Sequence, residues 1–255
     1  MKRFINSPAE FSPGIDSGFQ AIDKYTGGLS PCTLTLVGAR RSMGKTSFAL
    51  DIASRVAESG IPVLFFSLEL PSEQVLKRLL RKKACSSHPN SEDRNDFERE
   101  LKKLSNAPLY IDDTPGLSTG EYLARIAEFK SKHEQFVVIV DYLHLMRGPQ
   151  MFARGMREKE VSHIADTLKQ SAIAFNVPVV ALSPMSGAIG KTDEDRPGLK
   201  DFRESGEIVR ASDNVLILTS DRIYLDKSAG GEAARFRSEF NVNLCSFTSV
   251  EAIEE

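Results

Sequence analysis

The sequence of 255 residues contains no tryptophan, only three cysteines and no apolar run long enough to cross a membrane. Cys32, Cys85 and Cys245 are far apart and lack the spacing of a metal site, which indicates buried thiols in a reducing compartment. The first six residues lack the apolar region of a secretory signal, so we expect a cytoplasmic protein with no membrane segment. The 33 Lys and Arg residues nearly balance 35 Asp and Glu residues, so the total charge does not indicate a nucleic-acid partner.

The chain is organised as short apolar runs that alternate with helical patterns. Hydrophobic residues make up 41% of it, enough for a full core. The runs are rich in Val, Ile and Leu, which is typical of strands buried on both faces, and lie at 34–37, 63–67, 109–111, 136–140, 177–182 and 215–218. Helical patterns cover 46–59, 72–86, 92–105, 119–133 and 157–175. We therefore predict an α/β fold with a mostly parallel central sheet flanked by helices.

Three weaker local signals complete this outline. Ser118 and Glu121 form the pattern of a capping box at the start of the fourth predicted helix. Residues 186–200 are polar and contain Gly and Pro, which predicts a long functional loop. After Asp226 the pattern weakens, and one more strand is expected at 240–248.

The most informative segment, residues 39–46, reads Ala-Arg-Arg-Ser-Met-Gly-Lys-Thr between the first predicted strand and the first predicted helix. A loop that ends in Gly-Lys-Thr in this position is a P-loop, whose backbone N–H groups cradle phosphates. The strict pattern has Gly where this chain has Ala39. A chance Gly-Lys-Thr in a turn is the alternative, and the flanking strand and helix count against it. The predicted nucleotide-binding residues are Ala39, Arg40, Arg41, Ser42, Met43, Gly44, Lys45, Thr46 and Ser47.

Two carboxylates and the end of the P-loop supply the chemistry expected of an ATPase. Lys45 is expected to reach the β- and γ-phosphates of ATP, and the Thr46 hydroxyl to bind Mg²⁺. The apolar run 136–140 ends in Asp141, the Walker B pattern, which predicts a second Mg²⁺ ligand. Glu69 follows the run 63–67 and is the candidate base for the attacking water, although a solvated Glu at a helix start is the alternative interpretation.

Taken together, seven segments resemble the motor domain of DnaB-type replicative helicases, over roughly residues 14–220. They are 14–19, 26–29, 38–46, 65–69, 112–118, 141–146 and 203–206. The resemblance implies a RecA-like P-loop NTPase fold and a ring of six subunits. It also implies ATP at each subunit interface and single-stranded DNA in the central channel. Lys45, Thr46, Glu69 and Asp141 match the family's nucleotide and catalytic positions.

The resemblance also implies two DNA-facing loops. One is 147–157, which contains Arg147, Arg154 and Arg157. The other ends in Arg203, Glu204 and Gly206, which match positions that contact the DNA backbone in relatives, a sequence-independent and salt-sensitive mode of binding. A basic cluster on the second predicted helix is instead interpreted as a solvated face. Its members are Lys77, Arg78, Arg81, Lys82 and Lys83.

The chain departs from the family pattern at three places. Only about a dozen residues precede the motor, so we expect a short arm at 1–13 in place of the family's N-terminal domain, and primase contact is not inherited. Pro184 stands where relatives carry a Gln that senses the γ-phosphate. Relatives carry Lys-x-Arg-Asn-Gly near the C-terminus, and the nearest match here makes Arg237 the candidate finger for the neighbour's ATP site. We therefore divide the chain into this arm, a motor at 14–226 and a divergent segment at 227–255.

The leading hypothesis is a helicase or translocase motor that hydrolyses ATP with Mg²⁺ on single-stranded DNA, with replication proteins or a loader as further partners. A degenerate paralogue that binds ATP and partner proteins but hydrolyses poorly is the main alternative. Pro184 and the altered tail favour the alternative, whereas intact Lys45, Thr46, Glu69 and Asp141 oppose it. A recombination or clock-type ATPase and a metabolic kinase fit the motifs less well.

Overall fold

The computed structural model describes residues 14–87, 94–152, 155–186, 196–202, 206–241 and 246–253. Within them lie nine strands and seven α-helices. The strands are β1 (Leu34–Ala39), β2 (Val63–Ser67), β3 (Leu109–Asp112), β4 (Val137–Asp141), β5 (Val179–Pro184), β6 (Asn214–Leu218), β7 (Arg222–Lys227), β8 (Ala234–Asn241) and β9 (Ser246–Ala252). The helices are α1 (Gln20–Thr26), α2 (Lys45–Glu58), α3 (Ser72–Ser87), α4 (Arg94–Asn106), α5 (Thr119–Lys132), α6 (Arg157–Phe175) and α7 (Gly206–Ala211).

All nine strands belong to one sheet in the order β3-β2-β4-β5-β1-β6-β7-β8-β9. The first six in that order are parallel, and β7, β8 and β9 extend the sheet as antiparallel neighbours. The carboxyl ends of the parallel strands therefore meet at one edge, where open α/β sheets bind their ligands. The P-loop, Asp141 and Glu69 all lie where strands end at this edge.

Side chains that alternate along the strands form a separate core on each face of the sheet. On β2, Phe65 packs with α2 on one face, and Phe66 packs with α5 and α6 on the other. The buried face of α2 is fixed by Phe48, Ile52 and Val56, which are four residues apart. This packing holds the start of α2, and with it the P-loop, against the sheet.

The predicted α/β fold is confirmed, and the six predicted strands and five predicted helices are present with ends shifted by one or two residues. The capping box is also confirmed, since the Ser118 side chain accepts a hydrogen bond from the Glu121 N–H and Glu121 bonds back to Ser118. The single strand expected at 240–248 is wrong. Phe240 lies near the end of β8 and is paired with Phe247 on β9, so the chain reverses between them.

Three further expectations concern the loop, the arm and the membrane. The predicted loop 186–200 falls partly at 187–195, which lies outside the described residues, and its end forms a 3₁₀ turn at Leu199–Asp201. The predicted arm at 1–13 also lies outside the described residues. Among the described helices, none combines the length and apolar character needed to cross a membrane.

Candidate nucleotide-binding site

The P-loop connects β1 to α2 and contains two left-handed residues, Ser42 and Gly44. Gly44 caps α2 with φ of +79°, a conformation that side chains rarely adopt. Ala39 is the last residue of β1 and is fully buried, so the loop accommodates a Cβ where the strict pattern has Gly. Gly38 is the residue without room, because a Cβ there would lie 2.3 Å from the ring of Phe202.

A cleft of about 360 Å³ opens over the start of α2. This volume lies within the range of small-ligand sites. Six of the nine predicted nucleotide-binding residues line it, whereas Ala39, Arg40 and Met43 do not. The described lining residues are Arg41, Ser42, Gly44, Lys45, Thr46, Ser47, Glu69, Leu70, Arg78 and Phe240.

Strand pairing brings the two candidate carboxylates to this cleft. Ser67 on β2 is in register with Asp141 on β4, and the next N–H, that of Leu68, donates to the Asp141 carbonyl oxygen at 2.8 Å. Glu69 follows directly and is exposed at the cleft, while Asp141 is fully buried and interacts with the lining residues Thr46, Lys45 and Glu69. Lys45, Thr46, Glu69 and Asp141, from distant parts of the sequence, therefore come together.

The Asp141 carboxylate is buried, and neither oxygen accepts a well-aligned hydrogen bond from any described residue. Burial raises the pKa of this carboxyl to about 6, and the Thr46 hydroxyl and the positive charge of Lys45 act in the opposite direction. Burial in turn lowers the pKa of the Lys45 ammonium, which the charges of Asp141 and Glu69 counteract. A buried carboxylate without a partner is costly, which is consistent with a site built for a cation.

The donor set fits Mg²⁺. The Asp141 carboxylate and the Thr46 hydroxyl offer only oxygen ligands, which this hard ion prefers. No group of three or more His, Cys, Asp or Glu residues suited to a metal occurs in the described parts of the chain. Mg²⁺ commonly takes one or two protein ligands and completes its shell with phosphate oxygens and water, so two protein ligands suffice.

Sequence reasoning missed three of the described lining residues, Leu70, Arg78 and Phe240. Arg78 lies on α3, nine residues after Glu69, and its positive charge lowers the pKa of Asp141. Two other members of the basic cluster behave differently: exposed Lys77 pairs with Glu73, and Lys82 pairs with Asp51. The predicted solvated face therefore fits Lys77 but is wrong for half-buried Arg78 and for Lys82, whose side chain is 13% exposed. Phe240 comes from β8, and only the tertiary fold reveals its position at the cleft.

Pro184 lies beside the P-loop. It ends β5 and is in register with Ala39, and the N–H of the next residue, Met185, donates to the Ala39 carbonyl oxygen at 3.0 Å. Pro184 supplies neither a polar side chain nor an N–H at this position. The strand end beside the P-loop thus lacks the amide side chain that the resemblance led us to expect there.

Arg237 is not part of this cleft. It is exposed on β8, between the buried residues Phe236 and Ser238, so it faces away from the side of the sheet on which those two residues are buried. It lines a separate groove of about 550 Å³ together with Arg222 and Arg235. The structure thus brings three of the four predicted catalytic residues together and places the fourth elsewhere on the surface.

The candidate DNA-binding residues are only partly described. Arg203, Glu204 and Arg154 lie outside the described residues, and Gly206 is the first residue of α7. In the loop after β4, the backbone of Arg147 is hydrogen-bonded to Leu117 and Thr119. At the start of α6, Arg157 pairs with Glu160 and donates to the His144 carbonyl oxygen.

Solved structures that match the whole arrangement include an ATPase domain and a DnaB-like replicative helicase. A structure solved as an ATPase domain is 27% identical, with a TM-score of 0.86 over 95% of this chain and 94% of that one. A DnaB-like replicative helicase, solved in a study of its interactions with primase, is 26% identical with a TM-score of 0.86. This match covers 97% of this chain and 64% of that one.

Sequence comparison gives the same result. The chain is 36% identical over 219 residues to the replicative DNA helicase DnaC of Bacillus subtilis, a match that covers 83% of this chain and 48% of that protein. It therefore spans about half the length of this relative. The family model for the DnaB-like helicase C-terminal domain matches residues 14–243. The resemblance noted in the motifs is thereby confirmed, and the chain belongs to the family of DnaB-like helicase C-terminal domains.

Proposed function

We propose that this chain is the motor of a DNA helicase or translocase, which hydrolyses ATP with Mg²⁺ and moves along single-stranded DNA. The observation that carries the proposal is the cleft at the carboxyl ends of β1, β2 and β4. There Lys45, Thr46, Glu69 and Asp141 lie together at the start of a helix. A P-loop lysine, an oxygen-only cation site and an exposed carboxylate are the three parts that NTP hydrolysis requires.

Each residue has a distinct role in the proposed reaction. The backbone from Ser42 to Thr46 cradles the phosphates, and the Lys45 ammonium contacts the β- and γ-phosphates. Thr46 and Asp141 hold Mg²⁺, which supplies charge neutralisation for the phosphate oxygens when bound. Glu69 orients the attacking water and accepts its proton. Its exposure at the cleft supports this role, since water must reach it.

The proposed assembly is a ring of six subunits in the family's manner, in which Arg237 acts in the neighbour's cleft. Support comes from its place on the exposed face of β8 and from its absence among the described residues that line its own cleft. An arginine supplied to a neighbour stabilises the charge of the transition state, and its loss costs about 10³–10⁵ in rate in other NTPases. The proposed location is the cytoplasm.

The decisive experiment is ATP hydrolysis with and without single-stranded DNA, with Lys45→Ala as the blank. We expect turnover that rises with DNA, and Glu69→Gln is expected to bind ATP while it stops hydrolysis. Hydrolysis retained in Glu69→Gln would place the base elsewhere, and unchanged turnover in Lys45→Ala would remove the P-loop assignment. ATP binding with negligible turnover in every condition would favour the degenerate paralogue.

DNA contact through Arg203, Glu204 and Gly206 is tested separately. Arg203→Ala is expected to weaken single-stranded DNA binding. The slope of the logarithm of the binding constant against the logarithm of the salt concentration should fall in magnitude by about one. Arg210→Ala is the matched control, because Arg210 is an exposed arginine nearby on α7 that already pairs with Glu207. Equal effects of both substitutions would indicate a general charge effect and would contradict the loop assignment.

A further inference from the structure

A fully buried carboxylate on the P-loop helix has no place in the reaction described above. Asp51 lies in the second turn of α2 and is 0% exposed. It accepts hydrogen bonds from the backbone N–H of Phe247 at 2.8 Å and from the Ser246 hydroxyl at 3.2 Å, and it pairs with the Lys82 ammonium of α3. Burial raises the pKa of Asp51, and Lys82 is the strongest cause that opposes the rise.

These bonds fasten the beginning of β9 to the helix that carries the P-loop. Burial of a charge is expensive unless it is paired and hydrogen-bonded, and here each of these partners comes from another element. Both partners on β9 are its first two residues, Ser246 and Phe247. The hydrogen bonds to Asp51 therefore fix the position of the first residues of β9 relative to α2.

The same face of α2 makes two more contacts with the β8–β9 hairpin. Gly44 lies against the rings of Phe240 and Phe247, so that a Cβ added to it would be 3.1 to 3.2 Å away. Phe48 meets Phe247 edge-on, with ring centroids 5.4 Å apart, and Phe247 meets Phe240 at 5.0 Å. Residues 44, 48 and 51 follow the i, i+4, i+7 spacing of one helix face. The hairpin is thus docked along two turns of α2.

Arg237 belongs to this docked hairpin. It lies three residues before Phe240 on β8 and is in register with Glu251 on β9. Its position in space therefore depends on where α2 holds the hairpin. Of the three contacts along α2, that of Asp51 is the one made by directional bonds, whereas the aromatic contacts are more tolerant of sliding.

We propose that Asp51 is a positioning residue, which fixes the β8–β9 hairpin on the P-loop helix so that Arg237 is presented to the neighbouring subunit in register. This rests on the proposed function, in which Arg237 acts in trans. In a ring, the cleft of one subunit and the arginine that it offers to the next then form one rigid unit. A change at the P-loop is transmitted directly to the arginine of the same subunit.

The test uses Asp51→Leu combined with Lys82→Met, which replaces the buried ion pair by apolar side chains of similar size. Such replacements are often neutral or stabilising, so the protein is expected to fold. DNA-stimulated turnover should fall about 10- to 100-fold, as misplacement by about 1 Å can cause. The dissociation constant for ATP should change less than turnover does, because the P-loop residues are retained and Phe240 is the one described lining residue of the cleft that the hairpin carries. Asp51→Asn combined with Lys82→Met keeps an oxygen that can accept from Phe247 and leaves no buried ammonium without a partner, so it should keep most of the activity.

Subunit mixing separates positioning of the hairpin from damage to the variant's own cleft. Lys45→Ala subunits have a dead cleft and an intact hairpin, so they should restore turnover when mixed with the Asp51→Leu/Lys82→Met variant. Arg237→Ala mixed with Lys45→Ala is the reference and should show the same rescue. Asp213→Asn is the matched control for loss of an ion pair, since Asp213 pairs with Lys169 away from the hairpin, and it should change neither turnover nor mixing.

Each outcome has a defined meaning. Rescue of both mixtures supports the proposal. Rescue of the Arg237→Ala mixture alone overturns the role of Asp51 and leaves the proposed function intact. Failure of the Arg237→Ala mixture removes the trans arginine, and the inference falls with it. Wild-type turnover in the Asp51→Leu/Lys82→Met variant also overturns the proposal.

Discussion

Arg78 provides the sharpest test of the cleft, because sequence reasoning assigned it to a solvated face. Its side chain is half-buried, lines the cleft with Lys45 and Glu69, and makes no hydrogen bond or ion pair with any described residue. A bound triphosphate would supply the partner that this guanidinium lacks. We therefore predict that Arg78→Ala weakens ATP binding.

The magnitude follows from the contact that is lost. A hydrogen bond to a charged group contributes about 1.5–3 kcal/mol, so the dissociation constant for ATP should rise about 10- to 150-fold. Arg78→Lys keeps the charge but loses the planar fork, and an intermediate loss is expected. Lys77→Ala is the matched control, because the Lys77 side chain is 71% exposed and pairs with Glu73, and exposed pairs of this kind contribute little to stability.

The assay is calorimetric titration with a non-hydrolysable ATP analogue and Mg²⁺ on the four proteins, wild type, Arg78→Ala, Arg78→Lys and Lys77→Ala. Thermal unfolding of each protein without nucleotide shows whether a change in affinity reflects loss of structure. Equal affinities for Arg78→Ala and Lys77→Ala would refute the reasoning. So would a loss in Arg78→Ala that matches its loss of stability, since the arginine would then act on folding alone.

Two further predictions concern a buried carboxyl and a glycine. Burial, with a contribution from Asp16, raises the pKa of Asp23 to about 7. Between about pH 4 and pH 7 the folded protein therefore retains a proton that the unfolded chain has lost. The free energy of unfolding falls as the pH rises through this range. Asp23→Asn should therefore stabilise the protein by about 1–3 kcal/mol at pH 8 and hardly at pH 4; thermal unfolding at both pH values measures this, and an equal effect at both would contradict it. Gly44→Ala should lower ATP affinity at least tenfold, or about 1.4 kcal/mol, because the Cβ would meet Phe240 in the left-handed turn. Gly60 has a φ of +86° and no atom within 4 Å of an added Cβ, so Gly60→Ala should lose stability without loss of ATP affinity. An equal loss of ATP affinity in Gly44→Ala and Gly60→Ala would contradict the assignment of the P-loop as the phosphate-binding site.

The parallel half of the sheet was predictable because its strands are buried on both faces. Runs such as Val137–Asp141 contain little else than Val and Ile, and every residue in that strand is buried. The P-loop is local in sequence, so its position followed from the strand before it and the helix after it. The capping box at Ser118 was readable for the same reason, since the whole interaction spans four residues.

The antiparallel end of the sheet was predicted poorly because its strands are half-exposed. In β8, the side chains alternate between the exposed residues Arg235, Arg237 and Glu239 and the buried residues Phe236 and Ser238. The alternation of polar and apolar residues with a period of two was present in the sequence. It was not recognised as a strand because three of the five residues at 235–239 are charged. Arg78 and Phe240 had no local signal, because the cleft that they line is assembled from the P-loop, the start of α2, the segment after β2, α3 and β8.

The alternation of β8 has a consequence for the assembly. The strand turns Phe240 toward its own cleft, on the same side as Phe236, and turns Arg237 to the opposite face. Arg237 therefore lies on the face of the sheet opposite to the cleft of its own chain. If this arginine contacts a nucleotide, that nucleotide belongs to another chain packed against the exposed face of the hairpin. The catalytic unit is then an interface between two chains, and the contact between α2 and the hairpin links each interface to the next.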